Sequence, residues 1–310
     1  MKTAFVFPGQ GAQYVGMAAD YIAKFPEFAA VLDSFDESHN SQLRQIISEG
    51  PEEALKETRF TQPAILFHSI CALKAFEAKC QLKPDFVAGH SLGEFTALVA
   101  AGMLTWQDAM HLVHKRGEFM IKANAGVPFA MAAVLGLEAA VVSQVCAEVA
   151  RTSLVMAVNF NTPIQTVISG TEEGVAKASE LLKAKGAKRV LPLTVGGPFH
   201  TPLIESATGW LSAEMEAVPF SDGTVPVVSN LDAAPALSGA ENRYKLERQI
   251  ISPVRWVESV QYMIEEGVQR FVEFGPQKVL SGMIKNIDKD VQIWNLDKLE
   301  ELDALVEALR

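Results

Sequence analysis

The pattern of hydrophobic and polar positions predicts alternating strands and helices, with one sharp turn near residue 90. An apolar run at 86–88 predicts a buried strand, and a helical pattern follows from 95 to 101. Between them lies Gly89-His90-Ser91-Leu92-Gly93, a G-x-S-x-G pentapeptide in the strand-to-helix setting that the motif requires. We therefore expect Ser91 to occupy the tip of a tight turn, with its side-chain oxygen available as a nucleophile.

The N-terminal third predicts a strand, a glycine-containing loop and several helices. Lys2 to Phe7 is a short apolar run that Pro8 interrupts, and the loop from Gly9 to Gln13 allows its backbone to approach a ligand closely. Short helical segments continue to residue 57. Pro63 fits the first turn of a helix that we expect from Thr61 to Lys79.

The segment after the pentapeptide contains the acid that a hydrolase triad would need. Asp108 is the only aspartate between Ser91 and His200, but Thr105 to Asp108 fits a capping box that opens a helix through Arg116 to about Ala123. Asp108 is thus interpreted as a structural residue. His111 and His114 lie on one helix face without a convergent third ligand, so we predict no metal site.

The pattern from 126 to 195 predicts a subdomain inserted into a larger one. Strands and helices follow the order β-α-β-β-α-β, which is the ferredoxin-like arrangement. We expect residues 1–125 and 196–310 to form the larger, catalytic subdomain. His200 follows the glycines at 196 and 197, where the chain leaves the insert, so it can face a cleft between the two subdomains.

Ser91 and His200 supply a nucleophile and a base, which together suit acyl transfer. A carbonyl oxygen that accepts the imidazole N–H can replace the third, acidic member of a triad. The N–H of Leu92 and one from the Gly9 to Gly11 loop can form an oxyanion hole. Arg116 can bind a substrate carboxylate, although an arginine on a helix surface is an equally good interpretation of that residue.

Composition narrows the class of protein. The chain has 310 residues, 49% of them hydrophobic and 21% charged, with a net charge of −10 and a pI near 5.2. Nucleic-acid binding is disfavoured because it needs a dominant basic face. No run is long enough for a signal peptide or a membrane span, and the three cysteines lack metal-ligand spacing, so we expect a cytoplasmic protein with reduced cysteines.

The chain resembles the malonyl-CoA:acyl carrier protein transacylases from end to end. Seven motifs occur in that family's order: Phe7-Pro8-Gly9-Gln10-Gly11-Ala12-Gln13, Thr61-Gln62-Pro63-Ala64, Gly89-His90-Ser91-Leu92-Gly93-Glu94, Arg116-Gly117, Asn159-Phe160-Asn161, Gly197-Pro198-Phe199-His200 and Phe274-Gly275-Pro276. The resemblance implies an α/β-hydrolase-like core with an inserted ferredoxin-like subdomain.

The resemblance also implies the roles of individual residues. Ser91 would carry the malonyl group as an ester, with His200 as base and acid and Arg116 as the carboxylate ligand. The backbone N–H groups of Gln10 and Leu92 would hold the oxyanion. A carbonyl of Gln249 would orient His200, which explains why no triad acid is found.

Further implied residues form the substrate pocket and the surface for the partner. His90, Phe199 and Asn159 are expected in the pocket, and Phe199 would crowd a substituent on the malonyl α-carbon. Acyl carrier protein is acidic, and Lys185, Lys188 and Arg189 offer a basic patch, to which Lys183 adds.

The implied reaction is a ping-pong transfer from malonyl-CoA to acyl carrier protein in fatty acid biosynthesis, without metal or bound organic cofactor, by a protein expected to be a monomer. A trans-acting polyketide-pathway acyltransferase, a serine thioesterase or esterase, and a noncatalytic carrier-docking module are the alternatives.

Overall fold

The computed structural model describes residues 1–124 and 126–310, which form a mixed α/β fold with two sheets. The strands are β1 (Lys2–Phe7), β2 (Phe86–Gly89), β3 (Phe129–Leu135), β4 (Val155–Thr162), β5 (Gln165–Thr171), β6 (Arg189–Pro192), β7 (Val227–Val228), β8 (Pro235–Ala236), β9 (Val268–Phe274) and β10 (Gln292–Leu296). The helices are α1 (Ala19–Lys24), α2 (Pro26–His39), α3 (Leu43–Glu49), α4 (Glu52–Leu55), α5 (Thr58–Glu77), α6 (Gly93–Ala100), α7 (Trp106–Lys122), α8 (Ala139–Val149), α9 (Glu172–Ala184), α10 (Ser206–Glu216), α11 (Gly239–Gln249), α12 (Trp256–Glu265), α13 (Val279–Ile287) and α14 (Leu302–Leu309). Within these ranges, no helix combines the length and apolarity that crossing a bilayer requires.

The larger sheet has the strand order β10-β9-β1-β2-β7-β8, and every pair except β7 with β8 is parallel. Its central strands β1 and β2 are almost wholly buried, as expected for a parallel sheet covered by helices on both faces. Phe7 at the end of β1 is in register with Gly89 at the end of β2. The loop after Phe7 and the turn after Gly89 therefore meet at the carboxyl edge of the sheet, where parallel sheets bind ligands.

The smaller sheet has the strand order β4-β5-β3-β6 and is antiparallel throughout. Its elements follow one another as β-α-β-β-α-β, as the sequence pattern predicts. Apolar side chains of α8 and α9 pack with those of the strands into a core of its own. After β6 the chain passes through Leu193 and Val195 toward His200, so the exit from this sheet delivers the predicted base to the larger sheet.

Helix α5 begins at Thr58, three residues before the predicted start, so Pro63 lies inside the helix rather than in its first turn. Proline has no N–H, and the Arg59 carbonyl four residues earlier is left without its helical donor. His114 on α7 donates from Nδ1 to that carbonyl over 3.1 Å. The predicted start is thus wrong because a contact from another helix makes the internal proline tolerable.

The same two helices approach closely at Gly117. A Cβ atom added to Gly117 would lie 2.8 Å from both Arg59 Cα and Thr58 O, so only glycine fits there. Because Arg116 directly precedes this glycine, the close packing of α7 on α5 fixes the position of the Arg116 backbone.

Candidate active site

The pentapeptide forms the predicted turn between β2 and α6. Ser91 adopts φ 53°, a left-handed conformation that is uncommon for a residue with a side chain. A Cβ on Gly89 would lie 1.9 Å from the Gly93 carbonyl carbon, and a Cβ on Gly93 would lie 2.1 Å from the Phe7 oxygen. Both glycines are therefore required for the backbone to turn this tightly.

His200 lies beside Ser91 and is oriented by backbone carbonyls. Its Nε2 is 2.9 Å from Ser91 Oγ, and its Nδ1 is 3.0 Å from the Gln249 oxygen and 3.1 Å from the Ser252 oxygen. Carbonyls can only accept, so Nδ1 carries the proton and Nε2 accepts from the serine hydroxyl. The arrangement suits a nucleophile and its base, with two backbone carbonyls at the position where a Ser-His-Asp triad has a carboxylate.

The electrostatic surroundings keep His200 neutral. The imidazole is 3% exposed, and burial, followed by the neighbouring Arg116 cation, lowers the pKa of His200 to about 3. The carbonyls of Gln249 and Ser252 oppose this shift by accepting the ring N–H. At neutral pH the ring is thus unprotonated and able to accept a proton from Ser91.

Arg116 projects from α7 onto the nucleophile and is fully buried. Its Nη2 lies 3.1 Å from Ser91 Oγ and 3.0 Å from Gln249 Oε1, while Nη1 donates to Gln62 Oε1 over 2.8 Å. Its Nε is buried and makes no hydrogen bond within the described ranges. Burial lowers the pKa of Arg116 to about 10, so the group is still a cation at neutral pH. A buried cation bonded only to neutral groups is well suited to bind an anionic substrate.

A buried polar network lies beneath the turn. Asn230 accepts from the Ser91 N–H through Oδ1 and donates from Nδ2 to the Gly89 carbonyl, with both distances 2.7 Å. Gln249 donates from Nε2 to the Ser91 carbonyl and to Glu94 Oε2 over 3.0 and 2.9 Å. These bonds hold both sides of the strained turn in position.

The two predicted oxyanion donors line the same cavity as the nucleophile. Gln10 follows β1 and Leu92 precedes α6, so their elements place them on either side of Ser91. Neither backbone N–H donates to an acceptor elsewhere in residues 1–124 or 126–310. The hydrogen bonds of the structure therefore permit the oxyanion role of both groups, which stays a prediction.

The cavity around Ser91 has a volume of about 110 Å³, and His90, Asn159 and Phe199 are among its lining residues. His90 is buried and bonds to Asn161 Oδ1 over 2.9 Å through Nε2, and burial lowers the pKa of His90. Asn159 Oδ1 is buried without a hydrogen bond to any described residue. The residues that the sequence assigns to a pocket thus share one small cavity, while their roles toward a substrate stay predictions.

A larger cavity of about 660 Å³ is lined by residues that include Gly196 and Ile121, and Ser91, His200 and Arg116 are not among its lining residues.

Other predicted residues lie away from the cavity. Lys185, Lys188 and Arg189 are exposed at the end of α9 and the start of β6. Asp108 bonds to Thr105 at the start of α7, as the capping interpretation requires. His111 and His114 belong to a packed group with His39, whose Nε2 is 2.9 Å from His111 Nδ1. No cluster of three or more potential metal ligands is found in the part of the chain that the structure describes.

Four residues of the network were not assigned to the site from the sequence. Gln62 and Glu94 lie within two of the seven family motifs, so the polar side chain at each of these motif positions could have indicated a place in the site. Asn230 and Ser252 carry no motif. Asn230 contacts Ser91 across 139 positions of sequence, a separation that no local pattern reports.

The chain is similar to known acyl transferases along nearly all of its length. The model of the acyl transferase domain family matches residues 4–294. The chain is 43% identical over 310 residues to the malonyl CoA-acyl carrier protein transacylase of Bacillus subtilis (strain 168), covering 100% of this chain and 98% of that relative. The solved malonyl CoA-acyl carrier protein transacylase of Coxiella burnetii superimposes with a TM-score of 0.95 at 36% identity, over 100% of this chain and 98% of that one. A malonyl-transacylase solved in complex with its type II PKS acyl-carrier protein has a TM-score of 0.94 and 37% identity, over 99% of this chain and 100% of that one.

Proposed function

Because this chain belongs to the acyl transferase family of malonyl CoA-acyl carrier protein transacylases, we propose that it moves a malonyl group from malonyl-CoA to the phosphopantetheine thiol of acyl carrier protein, for fatty acid biosynthesis. One observation carries the assignment of residues: Ser91 Oγ lies within hydrogen-bond distance of both His200 Nε2 and the buried Arg116 cation. A nucleophile beside a base suits any acyl transfer. A cation beside the nucleophile selects acyl groups that have their own carboxylate.

In the first half of the reaction, the Arg116 guanidinium binds the malonyl carboxylate and so holds the thioester carbonyl over Ser91. His200 Nε2 takes the hydroxyl proton as Ser91 Oγ attacks the carbonyl carbon. The negative oxygen of the tetrahedral intermediate accepts from the N–H groups of Gln10 and Leu92, and losing one such donor typically costs roughly 3 kcal/mol. Collapse breaks the C–S bond, and the imidazolium returns its proton to the departing coenzyme A thiolate.

The second half reverses these roles. His200 takes the proton of the phosphopantetheine thiol, and the sulfur attacks the malonyl ester on Ser91. The same two backbone donors hold the oxyanion. Breaking the C–O bond regenerates Ser91, which recovers its proton from His200, so atoms and charges balance over the cycle. Each step uses groups of this chain, and we therefore propose no metal or organic cofactor beyond the thioester substrate.

The two sheets correspond to two subdomains with different proposed roles. We interpret the larger sheet, with residues 1–125 and 196–310, as an α/β-hydrolase-like core that supplies the nucleophile and base. We interpret residues 126–195 as an inserted ferredoxin-like subdomain, since its antiparallel strands follow the order β4-β5-β3-β6. Its exposed Lys185, Lys188 and Arg189 are proposed to meet the acidic carrier. A monomeric state and a cytoplasmic location complete the proposal.

A carrier from polyketide synthesis is the second candidate, because one solved structure similar to this chain is bound to a type II PKS acyl-carrier protein. The catalytic residues are the same in either case. The ratio of kcat/KM for fatty-acid and polyketide carriers distinguishes the two pathways.

The central test is intact-mass measurement after incubation with malonyl-CoA. We expect the mass of one malonyl group on the wild-type protein and none on Ser91→Ala, and we expect added holo acyl carrier protein to remove the label as malonyl-carrier. An unlabelled wild-type protein would favour a noncatalytic docking module. Release of free malonate instead of malonyl-carrier would favour a thioesterase.

A further inference from the structure

Glu94 is a buried acid beneath the nucleophile for which the proposed reaction has no direct use. It lies in the first turn of α6 and is 0% exposed. Its Oε2 accepts from the Asn230 backbone N–H and from Gln249 Nε2, each over 2.9 Å. A carboxylate in the first turn of a helix usually bonds to that helix's own N–H groups. Here the hydrogen bonds lead away from the helix, toward the catalytic groups.

Two hydrogen bonds connect Glu94 to each of the three groups that meet at the cavity. Through Asn230 it reaches the Ser91 N–H, which Asn230 Oδ1 accepts over 2.7 Å. Through Gln249 it reaches Arg116, whose Nη2 donates to Gln249 Oε1 over 3.0 Å. The backbone carbonyl of the same glutamine accepts from His200. Glu94 is therefore connected to all three groups, but only Arg116 carries a positive charge that its carboxylate can balance.

The path to Arg116 also matters for charge. The hydrogen bonds of Arg116 go to the neutral oxygens of Gln62, Gln249 and Ser91, so none of its direct partners balances its charge. A buried cation without a counter-charge is strongly disfavoured. Glu94 is the acid whose charge stabilises the Arg116 cation. The Gln249 amide lies between the two, with its N–H on the acid and its oxygen on the cation, which orients its dipole favourably for both.

We propose that Glu94 is an ionised positioning residue that holds Arg116, through the Gln249 amide, as a cation in the malonyl-binding cavity. This inference rests on the proposed function, because Arg116 has a carboxylate to bind only if the acyl group is malonyl. Glu94 is not among the lining residues of the cavity around Ser91. It determines whether the cation that selects the substrate stays in its place.

The hydrogen bonds around Glu94 favour the ionised form. Both partners of Oε2 are N–H donors. A carboxylate only accepts and so matches these donors, whereas a proton on Oε2 would face one of them. Burial is the largest influence and raises the pKa of Glu94 overall, while the hydrogen bonds from Asn230, Gln249 and Ser229 oppose that rise. The Arg116 cation favours the carboxylate through the same attraction by which Glu94 stabilises that cation.

The test compares Glu94→Gln, Arg116→Ala and the double variant. The readout is kcat/KM for Ser91 acylation by malonyl-CoA and by acetyl-CoA, whose acyl group lacks the carboxylate. The ratio of the two values does not depend on how much of each preparation is folded. We expect Glu94→Gln to lower the malonyl value by about tenfold or more and the acetyl value by less than about threefold. In the Arg116→Ala background we expect Glu94→Gln to change the malonyl value by less than about twofold, since its effect passes through the missing cation.

Glu273 provides the matched control. It is also fully buried, and it accepts from Leu280 and Ser281 at the start of α13, outside the catalytic network. Glu273→Gln removes a buried charge of the same kind and is expected to leave the malonyl-to-acetyl ratio unchanged. If Glu94→Gln does not yield folded protein, Gln249→Met provides a second test. It removes the side-chain amide that connects Glu94 to Arg116 but keeps Glu94 and the backbone carbonyl of residue 249. The same loss of malonyl preference is expected.

Equal losses for the two substrates in Glu94→Gln, or additive effects with Arg116→Ala, would overturn the inference and leave Glu94 a structural residue. Those results would leave the proposed function standing, because the wild-type protein would still be malonylated. A wild-type protein that malonyl-CoA does not label would overturn the proposed function and this inference with it.

Discussion

Replacing Arg116 by glutamine is expected to strengthen the base that activates Ser91. The guanidinium lies 3.1 Å from Ser91 Oγ, and Oγ lies 2.9 Å from His200 Nε2, so cation and imidazole are at most about 6 Å apart. Protonating His200 in the wild-type protein places a second positive charge at that distance. A neutral glutamine at position 116 removes the repulsion, and the pKa of His200 must rise.

The size of the change follows from Coulomb's law. Two unit charges about 6 Å apart at an effective dielectric constant of about 20 repel by ~3 kcal/mol, which corresponds to about 2 pKa units. The pKa of His200 is lowered to about 3 by burial and by Arg116. Arg116→Gln is therefore expected to raise the pKa of His200 to roughly 5, with burial responsible for the rest of its depression.

A neutral fluorophosphonate is a suitable probe, because its reaction with Ser91 needs the base but not the carboxylate ligand. Labelling is followed by intact mass in short pulses between pH 8 and the lowest pH at which the fold persists. Since only the unprotonated imidazole accepts the serine proton, we expect a flat wild-type rate from pH 8 to 5. The Arg116→Gln rate should fall to half near pH 5.

Arg255→Gln is the control, since Arg255 is partly exposed and pairs with Glu258. It should follow the wild-type profile. A wild-type rate that halves between pH 6 and 7 would refute the reasoning, and so would coincident profiles for wild type and Arg116→Gln.

Three further predictions concern selectivity, the nucleophile turn and the carrier surface. Phe199 lines the cavity and is 6% exposed, so kcat/KM should favour malonyl-CoA over methylmalonyl-CoA by about 10–200-fold. Phe199→Ala should reduce that ratio, and equal kcat/KM values for the two substrates in the wild-type protein would contradict the prediction. Gly93→Ala places a Cβ 2.1 Å from the Phe7 oxygen, so denaturant unfolding should show that the free energy of unfolding falls by about 3 kcal/mol or more. Labelling of Ser91 by malonyl-CoA should cease in the same variant. Reversing the charges of Lys185, Lys188 and Arg189 to glutamate should raise KM for the carrier by about tenfold at low salt, and an unchanged KM would exclude this surface.

Matched controls for the last two predictions lie elsewhere on the chain. Gly209 lies in α10, and an added Cβ would meet nothing within 4 Å, so Gly209→Ala should preserve or slightly raise the free energy of unfolding. Lys278, Lys285 and Lys289 are exposed near α13, and their reversal removes the same number of positive charges outside the small sheet. That variant should leave KM for the carrier unchanged.

The parts of the fold that could be predicted from the sequence are those that local chemistry determines. The turn at Ser91 requires glycine at 89 and 93, and the Thr105 cap is a pattern of four consecutive residues. The alternation of strands and helices from 129 to 192 is equally local. Strand β10, by contrast, is defined by its pairing with β9, a contact that no local pattern reports.

The site was predictable as a set of residue types but not as a network. From the sequence alone, Arg116 could equally lie on the surface of its helix. The close contact of Gly117 with α5 shows that this part of α7 is packed against another helix. Glu94 reads as an ordinary acid in the first turn of a helix, and only the fold brings Asn230 and Gln249 to it from 136 and 155 positions away. Contacts of that separation depend on the whole topology. Ser91 and His200 can therefore be identified from local sequence, and Gln249 from the family resemblance, whereas the supporting roles of Glu94 and Asn230 cannot.

The substitution of carbonyls for a triad carboxylate is consistent with the chemistry of thioesters. A thiol has a pKa near 8.5, so its thiolate leaves with little help from an acid, and a strongly stabilised imidazolium is not needed. The base must still be strong enough to take the serine proton, and in the free protein Arg116 weakens it. If a malonyl carboxylate binds Arg116 as proposed, it neutralises that cation and raises the pKa of His200, so the substrate strengthens the base that activates Ser91. An acyl group without a carboxylate leaves the cation in place and meets a weaker base, so we expect Arg116 to select for malonyl in the rate of the chemical step as well as in binding.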